Sequence, residues 1–363
     1  MRDKTKAPAL ALALLGLAAV AGSLPAQSPQ LDARDRQVTA GERTEVINAA
    51  LKRLNDSYVF LDVAKKMEEA VRARIAAREY DSVTSARALA ATLTEHLQAV
   101  SKDRHLRVQF SYDPLPQGQA SNPELARLQA QFGNYGFARV ERLAGNVGYL
   151  DLRGFSGDPA ALDVAAAAMN FLAGSSALIV DLRQNGGGSP VMVAFLTSYL
   201  YGPEPVHLND LYWRADNRTD SFHTRADVPG RRFGPDKPVY VLISNRTFSA
   251  AEEFTYNLKS RKRATIVGET SRGGAHPGGP QRINNHFAIW VPMGRAINPI
   301  TKTNWEGTGV IPDVAVPPAH ALKTAQLLAL KQIQQSNKTA PLDAPIQNAI
   351  AEVERELEAL KKQ

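Results

Sequence analysis

A short buried strand runs through a polar turn into a helix, and this unit constrains the fold more than any other part of the chain. Residues 239–243 are apolar, and in the helical pattern that follows Phe254 and Leu258 lie four residues apart, on one face. Ser249 falls in the first turn of the helix, where backbone N–H groups lack partners and the helix dipole is positive. A serine there is well placed as a nucleophile, because those donors can stabilise an oxyanion.

Ser249 also has a purely structural interpretation. Ser249-Ala-Ala-Glu252 has the spacing of a capping box, in which the serine caps the helix and the glutamate reaches back to it. Serine is a common N-cap residue. The unit by itself therefore leaves both roles open.

Strands and helices alternate through the middle of the chain, and this predicts an α/β domain. We expect strands at residues 106–110, 137–143, 147–152, 177–182, 239–243, 265–268, 287–292 and 314–316, and helices at 161–172, 191–200 and 250–259. Residues 113–123 are rich in Pro, Gly and Ser and predict a loop. The α/β domain is predicted over residues 106–320.

Helical patterns flank this domain on both sides. Three apolar stripes at helical spacing predict a small N-terminal three-helix domain over residues 41–105. Residues 321–363 predict a C-terminal helical extension, broken near Ala340-Pro341.

The first 26 residues have the pattern of a secretory signal peptide. Arg2, Lys4 and Lys6 form a basic region, and residues 8–20 form an apolar run that is short for a membrane span. Ala19-Val-Ala21 and Leu24-Pro-Ala26 are two candidate cleavage sites. We expect export to the periplasm or the extracellular space, and a mature protein that is soluble after removal of the leader.

Composition excludes several kinds of function. The 363 residues include no cysteine, so disulfides and thiolate chemistry are excluded. The formal charge is +7, but the basic residues are spread out without interleaved aromatic residues, so nucleic acid is not a predicted partner. No HExxH or similar spacing occurs, and we predict neither a metal nor another cofactor.

A second strand runs into a triple-glycine turn. Asp181-Leu-Arg-Gln-Asn leads into Gly186, Gly187 and Gly188, and a helix follows. Such a turn lets the backbone approach a ligand and direct N–H groups at a negative atom. A dinucleotide fingerprint would need glycine where Val191 stands, and no Gly-Lys-Ser/Thr follows for a P-loop. A turn without function remains the alternative.

The ordered set of motifs resembles the tail-specific, or C-terminal-processing, serine peptidases, family forty-one of the serine class. The matching segments are Tyr58-Val-Phe with Asp62 and Ala64, Asp103-Arg-His105, Gly148-Tyr-Leu, residues 178–188, Thr247-Phe-Ser-Ala-Ala-Glu252, Val267-Gly-Glu-Thr270 and Glu306-Gly-Thr-Gly-Val-Ile-Pro-Asp313. Each motif is weak alone, whereas the ordered set is specific. The resemblance implies a crotonase-like or Clp-protease-like spiral core of β-sheets and helices behind a helical N-terminal domain.

The resemblance implies roles for individual residues. Ser249 corresponds to the nucleophile, and the N–H groups of Ala250 and Gly187 correspond to the oxyanion donors. One branch of the family uses a lysine base after Val-Gly-Glu, but Gly274 stands at that position. The tricorn and retinoid-binding branch uses the histidine of Asp-x-His, which His105 matches. His105 is therefore the predicted base, with a rate that rises with pH near a pKa of about 6.5.

Three further assignments complete the predicted site. Glu306 matches the glutamate that completes the tricorn site, although Arg104 stands where the tricorn protease has a serine relay, and this leaves the coupling of Glu306 to His105 open. His276, together with Gly186 and Gly188, is predicted to line the substrate cleft. Only about 40 residues separate His105 from Val147, roughly half of what a PDZ module needs, so no PDZ module is predicted.

Two function classes remain. The first is a secreted serine peptidase that cleaves peptides or protein C-termini through an acyl-enzyme. The second is a non-catalytic module that binds an apolar ligand or a peptide in the same cleft. The joint presence of Ser249, His105, Gly187 and Glu306 favours the enzyme, because a pure binder needs no base beside a serine. A crotonase-type acyl-CoA enzyme conflicts with the export signal. The predicted partner is a peptide or protein substrate, and homo-oligomerisation is left open.

Overall fold

The structure, a computed structural model, describes residues 34–116, 123–336 and 340–362. The predicted leader lies outside these residues. Contacts within the chain separate Met1–Arg34 from Asp35–Gln363, and the elements below belong to the second unit. In the described ranges no helix combines the length and the apolar character needed to cross a membrane.

The helices follow the predicted order, with one addition. They are α1 (Ala40–Ser57), α2 (Leu61–Ala76), α3 (Ala86–Ser101), α4 (Pro123–Phe132), α5 (Ala161–Leu172), α6 (Pro190–Ser198), α7 (Ala250–Ser260), α8 (Pro318–Ser336) and α9 (Asp343–Leu360). The helix that the sequence did not predict is α4. Thr39 and Ser85 cap α1 and α3 by accepting N–H groups of their first turns, which is why those helices begin there.

The strands include four that the sequence did not predict, namely β5, β6, β9 and β11. The strands are β1 (Arg107–Phe110), β2 (Phe137–Leu143), β3 (Val147–Leu152), β4 (Ala177–Asp181), β5 (His207–Trp213), β6 (Arg218–His223), β7 (Val239–Ile243), β8 (Thr265–Gly268), β9 (Gly278–Arg282), β10 (Phe287–Pro292), β11 (Gly294–Ile297) and β12 (Val314–Ala315). The predicted α/β architecture with an N-terminal helical part is confirmed.

A six-stranded sheet lies at the centre of the α/β part. Its order is β12-β8-β7-β4-β3-β2, and all neighbouring pairs are parallel except β2 with β3. Every residue of β4 and β7 is buried. In β4, Leu178 faces a core shared with α5, α6 and α7, while Ile179 faces a core shared with α8 and α9. Because helices cover both faces, these strands are continuous apolar runs rather than alternating ones.

Two antiparallel three-stranded sheets accompany the central one, ordered β1-β10-β9 and β11-β5-β6. The first is packed against the N-terminal helices. Phe287, Ile289 and Val291 of β10 share one buried core with Leu54 and Leu93 of those helices. The helical part and the α/β part are therefore joined through strands contributed by the later sequence.

The sheet topology brings two turns together. The carboxyl ends of β4 and β7 are adjacent and parallel, with Asp181 opposite Leu242. The triple-glycine turn follows β4, and the turn that contains Ser249 follows β7. Both turns therefore lie at the same sheet edge, which is where parallel α/β sheets place their ligand sites.

Candidate active site

Ser249 occupies a strained backbone conformation at the start of α7. Its φ of 57° and ψ of −123° are outside the regions that non-glycine residues ordinarily adopt. Holding a residue there costs on the order of 1–3 kcal/mol, and such residues cluster at functional sites. The sharp passage from strand to helix also leaves the serine half-exposed. This geometry resembles a nucleophile elbow, in which the turn presents the hydroxyl to a substrate.

Glu252 holds the Ser249 turn in place. Its buried carboxylate accepts the Ser249 N–H at 2.9 Å, as the capping-box motif predicts. The same carboxylate also accepts the Ser271 hydroxyl at 2.6 Å and the N–H groups of Gly273 and Gly274 at 2.5 and 2.8 Å. Burial raises the pKa of Glu252 to about 6, while these donors act in the opposite direction. Glu252 is thus a positioning residue that ties the serine turn to the following loop, a role that its spacing alone did not reveal.

Ala250 lines the cavity beside Ser249, and its N–H has no acceptor in the described parts of the chain. The Gly187 N–H, in contrast, donates to the Asn185 side chain at 2.8 Å. The Gly188 N–H has no acceptor in the described parts of the chain. In this conformation the free amides beside Ser249 are therefore those of Ala250 and Gly188, rather than of Ala250 and Gly187.

Gly187 itself is required for the close approach of the two turns. Its φ is 107°, and a Cβ there would lie 2.7 Å from the Ser249 Cβ and 3.0 Å from the Ala250 nitrogen. Any side chain at this position would push the serine turn away from the glycine turn. Gly186 is exposed and lies outside the cavity beside Ser249, whereas Gly188 lines that cavity.

His105 lies next to the turn that carries Ser249. Its ring packs against that of Phe248, the residue before Ser249, with the ring centroids 4.3 Å apart. A Cβ on Gly274 would lie 2.2 Å from the Phe248 ring and 2.7 Å from the His105 Cε1. The glycine at the position of the lysine is therefore what makes room for the histidine. No hydrogen bond joins His105 to Ser249 in the described structure, as is common before a substrate tightens a site.

Burial changes the titration of His105. His105 is 5% exposed as a residue, and its Nδ1 has no partner among the described groups. Burial lowers the pKa of His105 to about 4, and the charge of Asp103 only partly opposes this. The expected pKa near 6.5 is therefore wrong for this site. With its pKa lowered in this way, His105 is neutral at neutral pH and able to accept a proton.

His276 and Asp103 form a buried pair behind His105. The His276 Nδ1 lies 2.7 Å from Asp103 Oδ2 and 3.5 Å from Glu306 Oε2. Asp103 also accepts the Tyr58 hydroxyl at 3.1 Å and the His105 N–H at 3.0 Å, which fixes the turn that carries His105. The predicted cleft role of His276 does not fit this placement, because its imidazole is buried against two carboxylates and does not line the cavity beside Ser249.

Glu306 is held by backbone groups close to His105. It accepts the Ala275 N–H at 2.5 Å and the Arg104 N–H at 3.4 Å. One of its oxygens, one ring nitrogen of His105 and one Asp103 oxygen lie within 4.8 Å of one another. The Arg104 side chain is exposed, so only its backbone contacts Glu306. Glu306 is thus near His105 but is not joined to it by a hydrogen bond.

The buried charges of this cluster influence one another. Burial and the Asp103 charge raise the pKa of Glu306 to about 7, and His276 opposes them. Burial alone would lower the pKa of His276, but the hydrogen bond to Asp103 and the charges of Asp103 and Glu306 outweigh burial and raise it. The ionisation of Glu306 and that of His276 are therefore linked through the contacts that Asp103, His276 and Glu306 make beside His105.

The side chains of Asp103, His105 and Glu306 lie close enough together to ligate a metal ion. The carboxylate oxygens of Asp103 and Glu306, however, already accept hydrogen bonds from Tyr58, His276 and three backbone amides. The hydrogen-bonded arrangement accounts for this set, and we assign it no metal.

Two family models match the chain. Residues 146–316 match peptidase family S41, and residues 39–132 match the N-terminal domain of peptidase S41 in eukaryotic IRBP. The chain therefore belongs to peptidase family S41. This confirms the family that the ordered motifs predicted. The N-terminal match agrees with the retinoid-binding branch of the prediction.

Two solved structures share the fold. A putative peptidase from Parabacteroides merdae is 18% identical, with 76% of this chain and 90% of that chain covered and a TM-score of 0.53. A lipoprotein from Streptococcus agalactiae is 11% identical, with 78% and 95% covered and the same TM-score of 0.53. A putative S41 protease from Bacteroides fragilis is 22% identical with a TM-score of 0.44, and the chain spans about half of it, 51%.

Proposed function

We propose that this chain is a peptidase that cleaves peptides or protein C-termini through an acyl-enzyme on Ser249, with His105 as the general base. The observation that supports it best is the strained turn of Ser249 at the N-terminus of α7, with the free Ala250 N–H beside it and His105 packed on the adjacent Phe248. A structural cap needs neither the strain nor a neutral buried imidazole.

In this mechanism each group has one task. Neutral His105 takes the proton of the Ser249 hydroxyl as its oxygen attacks the substrate carbonyl, and later gives that proton to the leaving amine. The N–H groups of Ala250 and of the glycine turn receive the oxyanion. Gly187 contributes directly if its bond to Asn185 opens on substrate binding, and otherwise Gly188 serves. Water then attacks the acyl-enzyme with His105 again as base.

Asp103, Glu306 and His276 act through His105 as positioning residues. Negative charge from Asp103 and Glu306 stabilises the imidazolium that forms during the reaction. The proposal includes export from the cytoplasm, and its support is the leader-like pattern of residues 1–26.

The binding-module alternative receives no support from the cavity at Ser249. This cavity measures about 40 Å³. Sites for drug-sized apolar ligands usually enclose roughly 300–1,000 Å³. A retinoid-sized molecule would not fit without rearrangement of the two turns.

A peptide-cleavage assay tests the proposed function. The purified chain is incubated with a mixed peptide library, and new termini are identified by mass spectrometry. We expect cleavage that a fluorophosphonate blocks and that EDTA leaves intact. Matched peptides with free and amidated C-termini show whether the terminal carboxylate is recognised. A folded protein that cleaves nothing and does not react with the fluorophosphonate would support the binding module instead.

Glu306→Gln tests how Glu306 acts. Because Glu306 becomes charged as the pH rises through about 7, kcat/KM of the wild type should rise there. The Glu306 charge acts on His105 across several ångströms without a hydrogen bond. Its loss in Glu306→Gln should therefore lower kcat/KM at high pH by about 10–10²-fold and remove the rise of kcat/KM near pH 7. The readout is the pH profile of kcat/KM for both proteins. A loss near 10⁴-fold, as for a directly bonded orienting carboxylate, would show instead that Glu306 bonds His105 during turnover.

A further inference from the structure

A small cavity opens beside Ser249 and has one polar residue in its wall besides the nucleophile. Its volume is about 40 Å³. Apolar and backbone groups line most of it, including Pro190, Leu211, Ala296 and Trp305. The exception is Glu253. A carboxyl group in an apolar wall next to a nucleophile requires an explanation, because buried acids are rare unless they are paired.

The position of Glu253 on α7 directs it towards the nucleophile. It lies four residues after Ser249, one helical turn further on the same face, and helical side chains lean towards the N-terminus. Glu253 is 4% exposed, and its Oε1 is buried with no hydrogen-bond partner among the described groups. The carboxyl therefore has unused hydrogen-bonding capacity at the wall of the cavity.

The surroundings of Glu253 keep it neutral. Burial raises the pKa of Glu253 to about 8, and nearby Asn209 opposes this only in part. The Asn209 side chain has no well-formed hydrogen bond to any described group. At neutral pH Glu253 thus carries its proton, and it can both donate and accept a hydrogen bond. A neutral acid also adds no negative charge near the oxyanion that forms on the substrate carbonyl oxygen when Ser249 attacks it.

The size of the cavity limits what can enter it. A water-sized group needs roughly 10–15 Å³ of such volume, so about three atoms fit. That is the size of a threonine or serine side chain. Long basic, acidic and aromatic side chains are too large.

We propose that this cavity binds the substrate side chain on the acyl side of the scissile bond and that Glu253 selects serine or threonine there by a hydrogen bond to the hydroxyl. This inference rests on the proposed peptidase function. A site with a buried polar group discriminates strongly against a substrate that leaves that group unpaired, and threonine and valine have almost the same shape. The wild type should therefore cleave after threonine about 10–10²-fold faster than after valine.

The test compares kcat/KM for peptides that differ only at that residue, with Thr, Val, Ser, Ala, Lys and Phe. It uses the full chain and the variants Glu253→Gln and Glu253→Met, each checked for folding by circular dichroism. Glu253→Gln keeps a donor and an acceptor, so the preference for threonine should persist. Glu253→Met removes both, so valine should be cleaved at least as fast as threonine. The two variants separate loss of the hydrogen bond from general disturbance of the helix.

Three outcomes would overturn the inference. Equal rates for threonine and valine in the wild type would do so, as would a preference for lysine or phenylalanine, or a threonine preference that survives in Glu253→Met. Reaction of the wild type with a fluorophosphonate, which carries no such side chain, is measured in parallel. If the probe labels Ser249 but threonine is not preferred, the inference fails and the proposed function stands. If neither labelling nor cleavage occurs, the proposed function fails and the inference fails with it.

Discussion

Replacing Ser249 by alanine should lower kcat/KM for peptide cleavage by about 10⁴–10⁶-fold, because the residual site lacks the attacking oxygen. Folding should change little, since Glu252 still accepts the N–H of residue 249 and still ties the turn to the Gly273–Gly274 loop. The measurements are kcat/KM with the best library peptide and the melting temperature.

Ser85→Ala is the matched control. Ser85 is the N-cap serine of α3, in the N-terminal helical part, and accepts the Ala88 N–H at 2.9 Å. This change should cost about 1 kcal/mol of stability with no loss of kcat/KM. If Ser249→Ala behaved like Ser85→Ala, with lower stability and intact cleavage, Ser249 would be a cap and the account would be wrong.

Replacing His105 by glutamine should reduce kcat/KM by a similar factor, about 10⁴–10⁶-fold, because the serine loses its base. In the wild type, protonation of Glu306 near pH 7 should lower kcat/KM only in part. The remaining activity should be lost as the pH falls through about 4, where burial places the pKa of His105. Activity falls on acidification because only the neutral imidazole of His105 accepts the serine proton.

His96→Gln is the control for this histidine. His96 is half-buried and lies 2.7 Å from the Tyr80 hydroxyl in the N-terminal helices, so its replacement should leave the pH profile unchanged. An active His105→Gln would require another base. Lys259 is not suited to that role, because its ammonium group is paired with Asp313.

The parts of the fold that the sequence predicts well are those whose pattern is local. The apolar run of β7 is buried at every residue, and it predicts a central strand before any partner is known. In contrast, β9 is Gly-Gly-Pro-Gln-Arg, a composition typical of loops, and it becomes a strand only by pairing with β10. β6 is largely polar and has no buried residue, so it shows no hydrophobic alternation. Long-range pairing decides such strands, and a single sequence does not reveal it.

The site also contains residues that a local sequence pattern predicts and residues that it does not. Ser249 and Ala250 follow from one strand–turn–helix segment, so the sequence predicts their geometry. The contact of His276 with Asp103 joins residues 173 positions apart, and no local pattern predicts it. Glu253 is similar, because an exposed and a buried glutamate look the same in a helical sequence until β5 is packed against them. The occupation of the Gly187 N–H by Asn185 also depends on three-dimensional detail that the glycine motif does not specify.

The most direct test of the account is the site of reaction with a fluorophosphonate. The wild-type protein is treated with the probe and analysed by intact mass and by mapping of its peptides. We predict one adduct per chain, on the Ser249 hydroxyl, and none on Ser249→Ala. A folded wild-type protein that forms no adduct, or that forms it on a different serine, would contradict the claim that Ser249 is the nucleophile of a peptidase.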